Sequence, residues 1–335
     1  MPLSSSFLSI PIWLWDLIVH FYSIYGLTLI LATLLMSGLA YRHISRTFFA
    51  TPSRLNFAEG KAGRAASSSP SRNTYLKASQ QTTPHPGQAY PFRKPQPYDA
   101  FLVMDFEATC IATSRFNYAN EIIEFPVALL KWEDKTPDGT ASQLAIVDEF
   151  RSFVKPTWKP ILSEYCTTLT GITQAQVDEA PSLSEVFSLL KVFMAKHKLI
   201  DKDTEQTLTR FCWCTDGPWD IQDLLLKTCF ISKTPMPAWM QGNILDVRAQ
   251  VTSWMHTQNP GNRPRPLGIV RQLNALGLPD FEGSMHSGID DTRNIARIVI
   301  ELARRGVALR PNLGINVHRR WPWMGKNGKV IEEYI

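Results

Sequence analysis

Two carboxylates placed two positions apart are the first residues in this sequence that could do chemistry. Asp105 and Glu107 follow Phe101–Met104, an apolar run typical of a buried central strand in an α/β sheet. Because side chains alternate along a strand, both carboxylates would project to the same face. Two anions this close repel each other unless a cation lies between them, and oxygen ligands of this kind suit Mg²⁺ or Mn²⁺. A D-x-E pattern is common by chance, so this predicted metal site needs further ligands downstream.

A second acid, Asp220, lies where a predicted strand gives way to a helix. Thr207–Cys214 has the composition of a buried strand, and a Gly-Pro turn and an apolar helical sequence follow it. Asp220 would then lie at the carboxyl end of a strand, near the centre of the sheet. The structural alternative makes Asp216 a helix cap and Asp220 or Asp223 a stabilising anion in the first helical turn. The residues alone support both interpretations equally.

A histidine and an aspartate near the start of a third helix complete the candidate site. Apolar residues recur at helical spacing from Ile295 to Leu302, so the helix is predicted to begin near Gly288. A separation of five residues is poor for two ligands on one helix face. It fits an arrangement in which Asp291, in the first turn, binds metal and His286, in the preceding loop, accepts protons. The alternative is capping by acids beside a surface histidine.

The elements that must position these residues follow from hydrophobic periodicity. Glu121–Trp132 and Ile146–Val154 are predicted strands, with Asp138-Gly139 at the tip of the turn between them. With Phe101–Met104 they make a three-stranded antiparallel start. Leu183–Met194 has apolar residues at helical spacing and is predicted to be a helix.

Charge is unevenly distributed along the 335 residues. Residues 42–94 contain nine Lys and Arg against one acid, Glu59, and the only charged side chain before them is Asp16. Residues 95–335 therefore contain 26 basic and 28 acidic residues, a net charge of −2. The overall charge of +5 belongs to the N-terminal segment and does not mark the globular part as a nucleic-acid binder. The five scattered cysteines lack zinc-finger spacing, so we expect free thiols in a reducing compartment.

An uncharged run of 21 residues, Phe21–Tyr41, is the main hydrophobic feature of the N-terminal part. At about 1.5 Å per residue, a helix of this length spans the ~30 Å hydrocarbon core of a bilayer. Because the run is apolar on all sides, the sequence predicts a membrane anchor within residues 1–44 rather than a signal peptide or a core helix. Arginines cluster only after the run, which predicts a membrane-anchored protein with its globular part facing the cytosol.

The segment between this predicted anchor and the globular part has no apolar period. Residues 45–97 are rich in Pro, Ser and basic residues, and they are predicted to form a disordered linker. Residues 42–80 are also Arg- and Ser-rich and nearly free of acids, as in mitochondrial transit peptides. A mitochondrial location is therefore the alternative, although an apolar helix precedes this segment.

The order of the candidate residues resembles the DEDDh family of 3′-to-5′ exonucleases, the DnaQ-like branch of the ribonuclease H-like fold. The three motifs match at Asp105 and Glu107, at Asp220, and at His286 and Asp291. The stretches EIIEFPVALL, LSEYCTTLTGITQAQVDEAPS, TDGPWD and HSGIDDTRNIARI are similar to the Eri-type subfamily of enhanced-RNAi and histone-mRNA 3′ exonucleases. The similarity covers roughly residues 98–315 and leaves residues 316–335 as an unassigned C-terminal tail.

This resemblance implies an α/β ribonuclease H-like exonuclease fold, with a mixed central sheet flanked by helices. It implies a metal-dependent 3′-to-5′ exoribonuclease that releases nucleoside 5′-monophosphates. The four acids would hold two divalent ions, Mg²⁺ or Mn²⁺, about 3.5–4 Å apart, and His286 would be the general base. The substrate-binding residues expected from the family are Ala108, Thr109, Leu169, Ile172 and Trp219, the last by stacking on a base.

The expected partners are single-stranded RNA 3′ ends, with structured RNA and DNA as alternatives, and a membrane through the N-terminal helix. No protein partner follows from the sequence. A DEDDh deoxyribonuclease would have the same site residues and is the main alternative. An inactive, membrane-tethered RNA-binding adaptor is disfavoured, because all five catalytic positions are filled.

Overall fold

A computed structural model of the protein describes residues 93–113, 117–261 and 263–335, which fall within one compact unit, Pro84–Ile335. The predicted helix at 21–41 and the predicted linker as far as residue 92 lie outside the described residues. The longest described helix, Gly288–Arg304, has 17 residues, and six of them are charged. Within the described ranges, no helix is long and apolar enough to cross a membrane. This finding contradicts the predicted membrane anchoring with a cytosol-facing domain, and that prediction is withdrawn.

The described residues form eight strands and seven α-helices. The strands are β1 (Lys94–Pro95), β2 (Ala100–Val103), β3 (Glu107–Ala108), β4 (Ile122–Trp132), β5 (Thr140–Ala141), β6 (Leu144–Phe153), β7 (Phe211–Thr215) and β8 (Leu245–Asp246). The helices are α1 (Glu164–Thr170), α2 (Gln174–Asp178), α3 (Leu183–Lys196), α4 (Leu226–Ile231), α5 (Val247–Gln258), α6 (Ile269–Ala275) and α7 (Gly288–Arg304). A π-helix, Asp220–Leu225, leads directly into α4, and 3₁₀ turns occupy Ala238–Met240 and Glu332–Tyr334.

Six of the strands form one mixed sheet. The long strand β4 pairs antiparallel with β6 on one edge and with β2 and β3 on the other. Strand β7 runs parallel to β2, and β8 runs parallel to β7. Strands β1 and β5 form a separate antiparallel pair. The predicted antiparallel start and mixed central sheet are therefore confirmed, and the carboxyl ends of β2 and β7 lie side by side.

Helices cover both faces of this sheet. Leu102 of β2 belongs to a buried cluster with Leu190 of α3, whereas its neighbours Phe101 and Val103 belong to a second cluster with Ile298 of α7. This division follows from the alternation of side chains along a strand, and it explains why β2 is apolar throughout. A strand buried on both faces provides a rigid base for the acidic residues that follow it.

The predicted element bounds hold best where the hydrophobic pattern is long. Helix α3 begins at the predicted Leu183, and α7 begins at Gly288 as expected. The strand predicted at Thr207–Cys214 is shorter, because Thr207 instead pairs with Ile200 in an isolated bridge and β7 starts at Phe211. All five cysteines are free thiols, as predicted.

Residues outside the bounds of 98 and 315 also pack against the domain. Gln96 is buried, donates to the carbonyl oxygen of Val307 and accepts the backbone N–H of Leu309, both at 3.0 Å. In the C-terminal segment, Trp323 is fully buried, and its indole N–H donates to the carbonyl oxygen of Asn117. The segment 316–335 therefore packs on the domain.

Candidate active site

Asp105 lies in a break between two strands that share one edge of β4. Val103 is opposite Ala128 and Glu107 is opposite Glu124, so β3 continues the register of β2 across the intervening residues. Asp105 itself belongs to neither strand. The Asp105 and Glu107 carboxylates lie close together across this break. The sequence placed both residues on one continuous strand, whereas Asp105 lies outside the strands.

Three of the predicted ligands form a tight cluster. One carboxylate oxygen from each of Asp105, Glu107 and Asp291 lies within 4.8 Å of the other two. Asp220 lies beside them and is not part of this tight group. Its Oδ1 accepts the backbone N–H of Phe106 at 2.8 Å, which joins the start of the π-helix to the break between β2 and β3.

Burial and mutual repulsion raise the pKa values of these carboxyls. Burial, followed by the charges of Asp291 and Glu124, raises the pKa of Glu107 to about 9. Burial raises the pKa of Asp220 to about 7, although the hydrogen bond from Phe106 opposes the shift. The pKa of Asp105 also lies well above its ordinary value, because of burial and then the charge of Asp220. The protein alone does not stabilise all four acids as anions.

The donor set fits a divalent cation. Asp291 Oδ2 is buried and has no hydrogen-bond partner among the described residues. In the same part of the chain, none of the four acids forms an ion pair with Lys, Arg or His. Burial raises the pKa of Asp291 to about 7. A cluster of buried, unpaired carboxylate oxygens is the ligand set that hard divalent cations prefer.

His286 occupies an exposed loop at the edge of this cluster. Its backbone is in the left-handed region, with φ 64°, and its backbone N–H donates to the Asp291 carboxylate. The loop enters α7 through Ser287, whose carbonyl oxygen accepts the N–H of Asp291 at 2.9 Å. His286 is therefore fixed to a proposed ligand through its backbone, while its imidazole is open to solvent.

Glu124 is a residue of the site that sequence reasoning missed. It is fully buried on β4, and its Oε1 accepts Arg151 Nε at 2.7 Å. Its Oε2 accepts the backbone N–H of Gly288, the first residue of α7, at 3.2 Å. A charged residue inside the apolar stretch EIIEFPVALL was the available signal, since a buried carboxylate needs partners.

The interpretation of Asp216 as a helix cap is wrong. Asp216 is buried at the end of β7, and its Oδ2 pairs with Arg248 Nη2 at 2.5 Å. Its Oδ1 accepts Gln272 Nε2 at 2.6 Å. The guanidinium of Arg248 lies over the indole of Trp219, 4.8 Å from the ring centroid. The loop before Asp220 is thus tied to α5 and α6, and no local pattern in the sequence indicates this.

The predicted substrate-binding residues differ in how much of their surface and hydrogen-bonding capacity remains free for a ligand. Thr109 already uses its N–H, carbonyl and hydroxyl in hydrogen bonds with Glu121 and Asn120. Ile172 is 3% exposed and packs in a cluster with Cys166. Partly exposed members of the predicted set are Ala108, Leu169 and Trp219.

The fold and the buried carboxylate cluster together are typical of an α/β exonuclease, and comparison with known proteins gives the same class. The exonuclease family model matches residues 102–212. The chain is 36% identical to the 3′–5′ exonuclease eri1 of Schizosaccharomyces pombe, over 68% of this chain and 74% of that protein. It is 34% identical to 3′–5′ exoribonuclease 1 of Mus musculus, over 64% of this chain and 56% of that protein.

A solved structure extends the comparison to the fold. The nuclease domain of 3′hExo, described as a DEDDh family member and bound to rAMP, matches with a TM-score of 0.56 and 31% identity. The match covers 66% of this chain and all of that domain. The chain therefore belongs to the Eri-type family of DEDDh 3′-to-5′ exonucleases and has its ribonuclease H-like fold. It spans about half the length of the mouse relative.

Proposed function

We propose that this protein is a metal-dependent 3′-to-5′ exoribonuclease that releases nucleoside 5′-monophosphates from RNA 3′ ends. The observation that carries the proposal is the cluster of Asp105, Glu107 and Asp291, with Asp220 alongside. Buried carboxyls without a basic partner cost stability. They suit a site that receives both a cation and an anionic phosphate.

The four acids would hold the divalent ions, and we propose two ions, with Mg²⁺ as the physiological one and Mn²⁺ able to replace it. When bound, such ions lower the pKa of a water molecule and neutralise charge on the phosphate. His286 takes the proton from the attacking water. Its exposed loop position supports this role, and its backbone bond to Asp291 keeps it beside the ligand set.

The choice of RNA as the proposed substrate rests on similarity to the relatives and not on the geometry of the site. The mouse relative is named an exoribonuclease, and the solved nuclease domain contains a ribonucleotide. We propose that Ala108, Leu169 and Trp219 contact the terminal nucleotide, since all three keep exposed surface, and Ala108 and Trp219 are next in the chain to Glu107 and Asp220. Stacking on Trp219 would bind any base, which suits a nuclease that removes nucleotides one after another.

The test is incubation of the purified full-length protein with 5′-labelled single-stranded RNA and Mg²⁺, with products separated by length and the released nucleotide identified by chromatography. We expect a ladder shortened from the 3′ end, 5′-monophosphates as products, and no reaction in EDTA. A matched DNA strand should be degraded more slowly. Faster degradation of DNA would replace the proposal with a deoxyribonuclease, and failure to shorten either strand would contradict it.

Two adjacent aspartates provide a matched pair of variants for this test. Asp291 belongs to the carboxylate cluster, whereas Asp290 binds Arg293 and the backbone N–H of Ser284. Asp291→Asn should abolish turnover, because it removes a ligand. Asp290→Asn should retain most of the activity. Equal activity in the two variants would contradict the assigned ligand set.

A further inference from the structure

Arg248 is a cation placed beside the carboxylate cluster by contacts from three elements. It lies in the first turn of α5, and its Nη2 pairs with Oδ2 of Asp216, the residue that follows β7. Gln272 of α6 is fully buried, and its Nε2 donates to Oδ1 of the same aspartate and to the carbonyl oxygen of Leu267 at 2.9 Å. Both oxygens of Asp216 are thus bonded. Because Asp216 cannot rotate, it fixes the position of the Arg248 guanidinium.

The same guanidinium lies against Trp219, the residue before Asp220. Its carbon is 4.8 Å from the ring centroid, within the range of a cation–π contact. One face of the indole is therefore covered by Arg248, so a base cannot stack on that face. Gly217 contributes to this fit: its φ is 108°, and a Cβ there would come within 2.2 Å of the Trp219 ring. A side chain at position 217 would therefore displace the indole from this position.

Part of the hydrogen-bonding capacity of Arg248 is not used by the protein. Its side chain is 27% exposed, and its Nη1 has no acceptor among the described residues. Nη1 keeps some solvent-accessible surface, whereas Nε is buried and has no hydrogen-bond partner among the described residues. The positive charge acts on Asp105 and Asp220, which places it within electrostatic reach of the metal ligands. An anchored guanidinium with a free edge beside an acidic cluster suits an anionic ligand.

We propose that Arg248 binds a phosphate oxygen of the terminal nucleotide in RNA, with Asp216 as the residue that positions it. This inference rests on the proposed function. A phosphate that enters a site of four carboxylates meets repulsion that metal ions only partly cancel, and a fixed guanidinium offsets the rest. Arginine suits this task because its planar donors match phosphate oxygens.

A purely structural role is the competing explanation, in which Arg248 only neutralises buried Asp216. The chain contains a matched control for that role. Arg305 lies over Trp254, 4.7 Å from the ring centroid, and pairs with buried Glu301 at 2.7 Å. It therefore has the same two kinds of structural contact as Arg248, while its ion-pair partner is not one of the four acids of the cluster.

The experiment compares calorimetric binding of AMP and adenosine to full-length wild type, Arg248→Gln and Arg305→Gln, all with Mg²⁺. One charge-assisted hydrogen bond is worth about 1.5–3 kcal/mol, so Arg248→Gln should weaken AMP binding by about 10- to 100-fold. Adenosine, which lacks the phosphate, should bind Arg248→Gln and wild type equally. Arg305→Gln should bind both ligands as wild type does. Equal AMP binding by Arg248→Gln and wild type would overturn the inference, as would equal losses for the two ligands.

Two further measurements separate the possible failures. Arg248→Lys keeps the charge with a less suitable geometry, and it should lose part of the AMP affinity; it also replaces Arg248→Gln if that variant unfolds. The RNA degradation assay is run on the same samples. Wild type that degrades RNA, with AMP binding unaffected in both Arg248 variants, would overturn only the role of Arg248. Wild type that neither degrades RNA nor binds AMP would overturn the proposed function as well.

Discussion

Glu124 lies directly opposite Glu107 across β4 and β3, and its Oε2 accepts the backbone N–H of Gly288 at 3.2 Å. One buried carboxylate therefore contacts the start of the helix that carries Asp291 while it faces the strand that carries Glu107. Arg151 pairs with its other oxygen at 2.7 Å and neutralises it. The distance between the two halves of the carboxylate cluster is set at this junction.

Replacing Gly288 by alanine should open this junction. A Cβ at position 288 would lie 2.8 Å from the carbonyl oxygen of Asp105 and 3.2 Å from Glu124 Oε2, so α7 must move away from the sheet. Because a displacement of ~1 Å in a catalytic group costs roughly 100-fold, kcat should fall by about that factor. Gly268→Ala is the control, since a Cβ there meets nothing within 4 Å. Steady-state kinetics that are equal for the two variants would refute this account.

His286 should be needed for turnover and not for metal binding. His286→Asn should lower kcat by roughly 10²–10⁴, the usual share of a general base. Asparagine is the sharper replacement, because it tolerates the left-handed backbone of this position and keeps the backbone bond to Asp291. Mn²⁺ affinity, measured by calorimetry, should remain within a few-fold of wild type. A large loss of Mn²⁺ affinity would show instead that the imidazole is a ligand.

Metal stabilisation should increase with pH. The pKa of Glu107 is raised to about 9, and those of Asp220 and Asp291 to about 7, from ordinary values near 4. The metal-free folded state thus holds protons that the unfolded chain releases. The resulting stabilisation is complete below about pH 4 and is lost as the pH rises through 7 to 9. Divalent cations compete with these protons, so the Mg²⁺-induced rise in Tm should be larger at about pH 9 than at about pH 6.

Differential scanning calorimetry with and without Mg²⁺ tests this prediction. Asp291→Asn provides the control, because it removes one of the competing carboxylates, and its Mg²⁺-induced shift should be small at either pH. A wild-type shift that is independent of pH would mean that the carboxyls are already ionised without metal.

Trp323 should be a major contributor to the stability of the domain. It is fully buried in the segment 316–335, and Trp323→Ala should lower the free energy of unfolding by about 3–5 kcal/mol. Tyr334→Ala, in the same segment, should change it little, since Tyr334 is 54% exposed. Urea denaturation monitored by circular dichroism measures both. A Trp323 variant as stable as wild type would show that the segment is a dispensable tail.

Sequence reasoning singled out residues that the fold brings together, because the signals that mark them are local. The end of an apolar strand marked Asp105 and Glu107, and the first turn of an amphipathic helix marked Asp291. It was wrong about membrane anchoring, which rested on the length of one uncharged apolar run and on the arginines that follow it. The interpretation of Asp216 as a helix cap was also wrong, although an acid before a helix is often one.

The sequence by itself determined the strand and helix pattern, the family resemblance and the acidic residues at the ends of elements, because each depends on neighbours within a few positions. Only the tertiary structure decided the partners of the buried charges. Asp216 and Gln272 are 56 residues apart, and Glu124 and Gly288 are 164 apart. Such pairs form only when the sheet and helices pack, since a buried charge accepts whichever donor the fold brings to it.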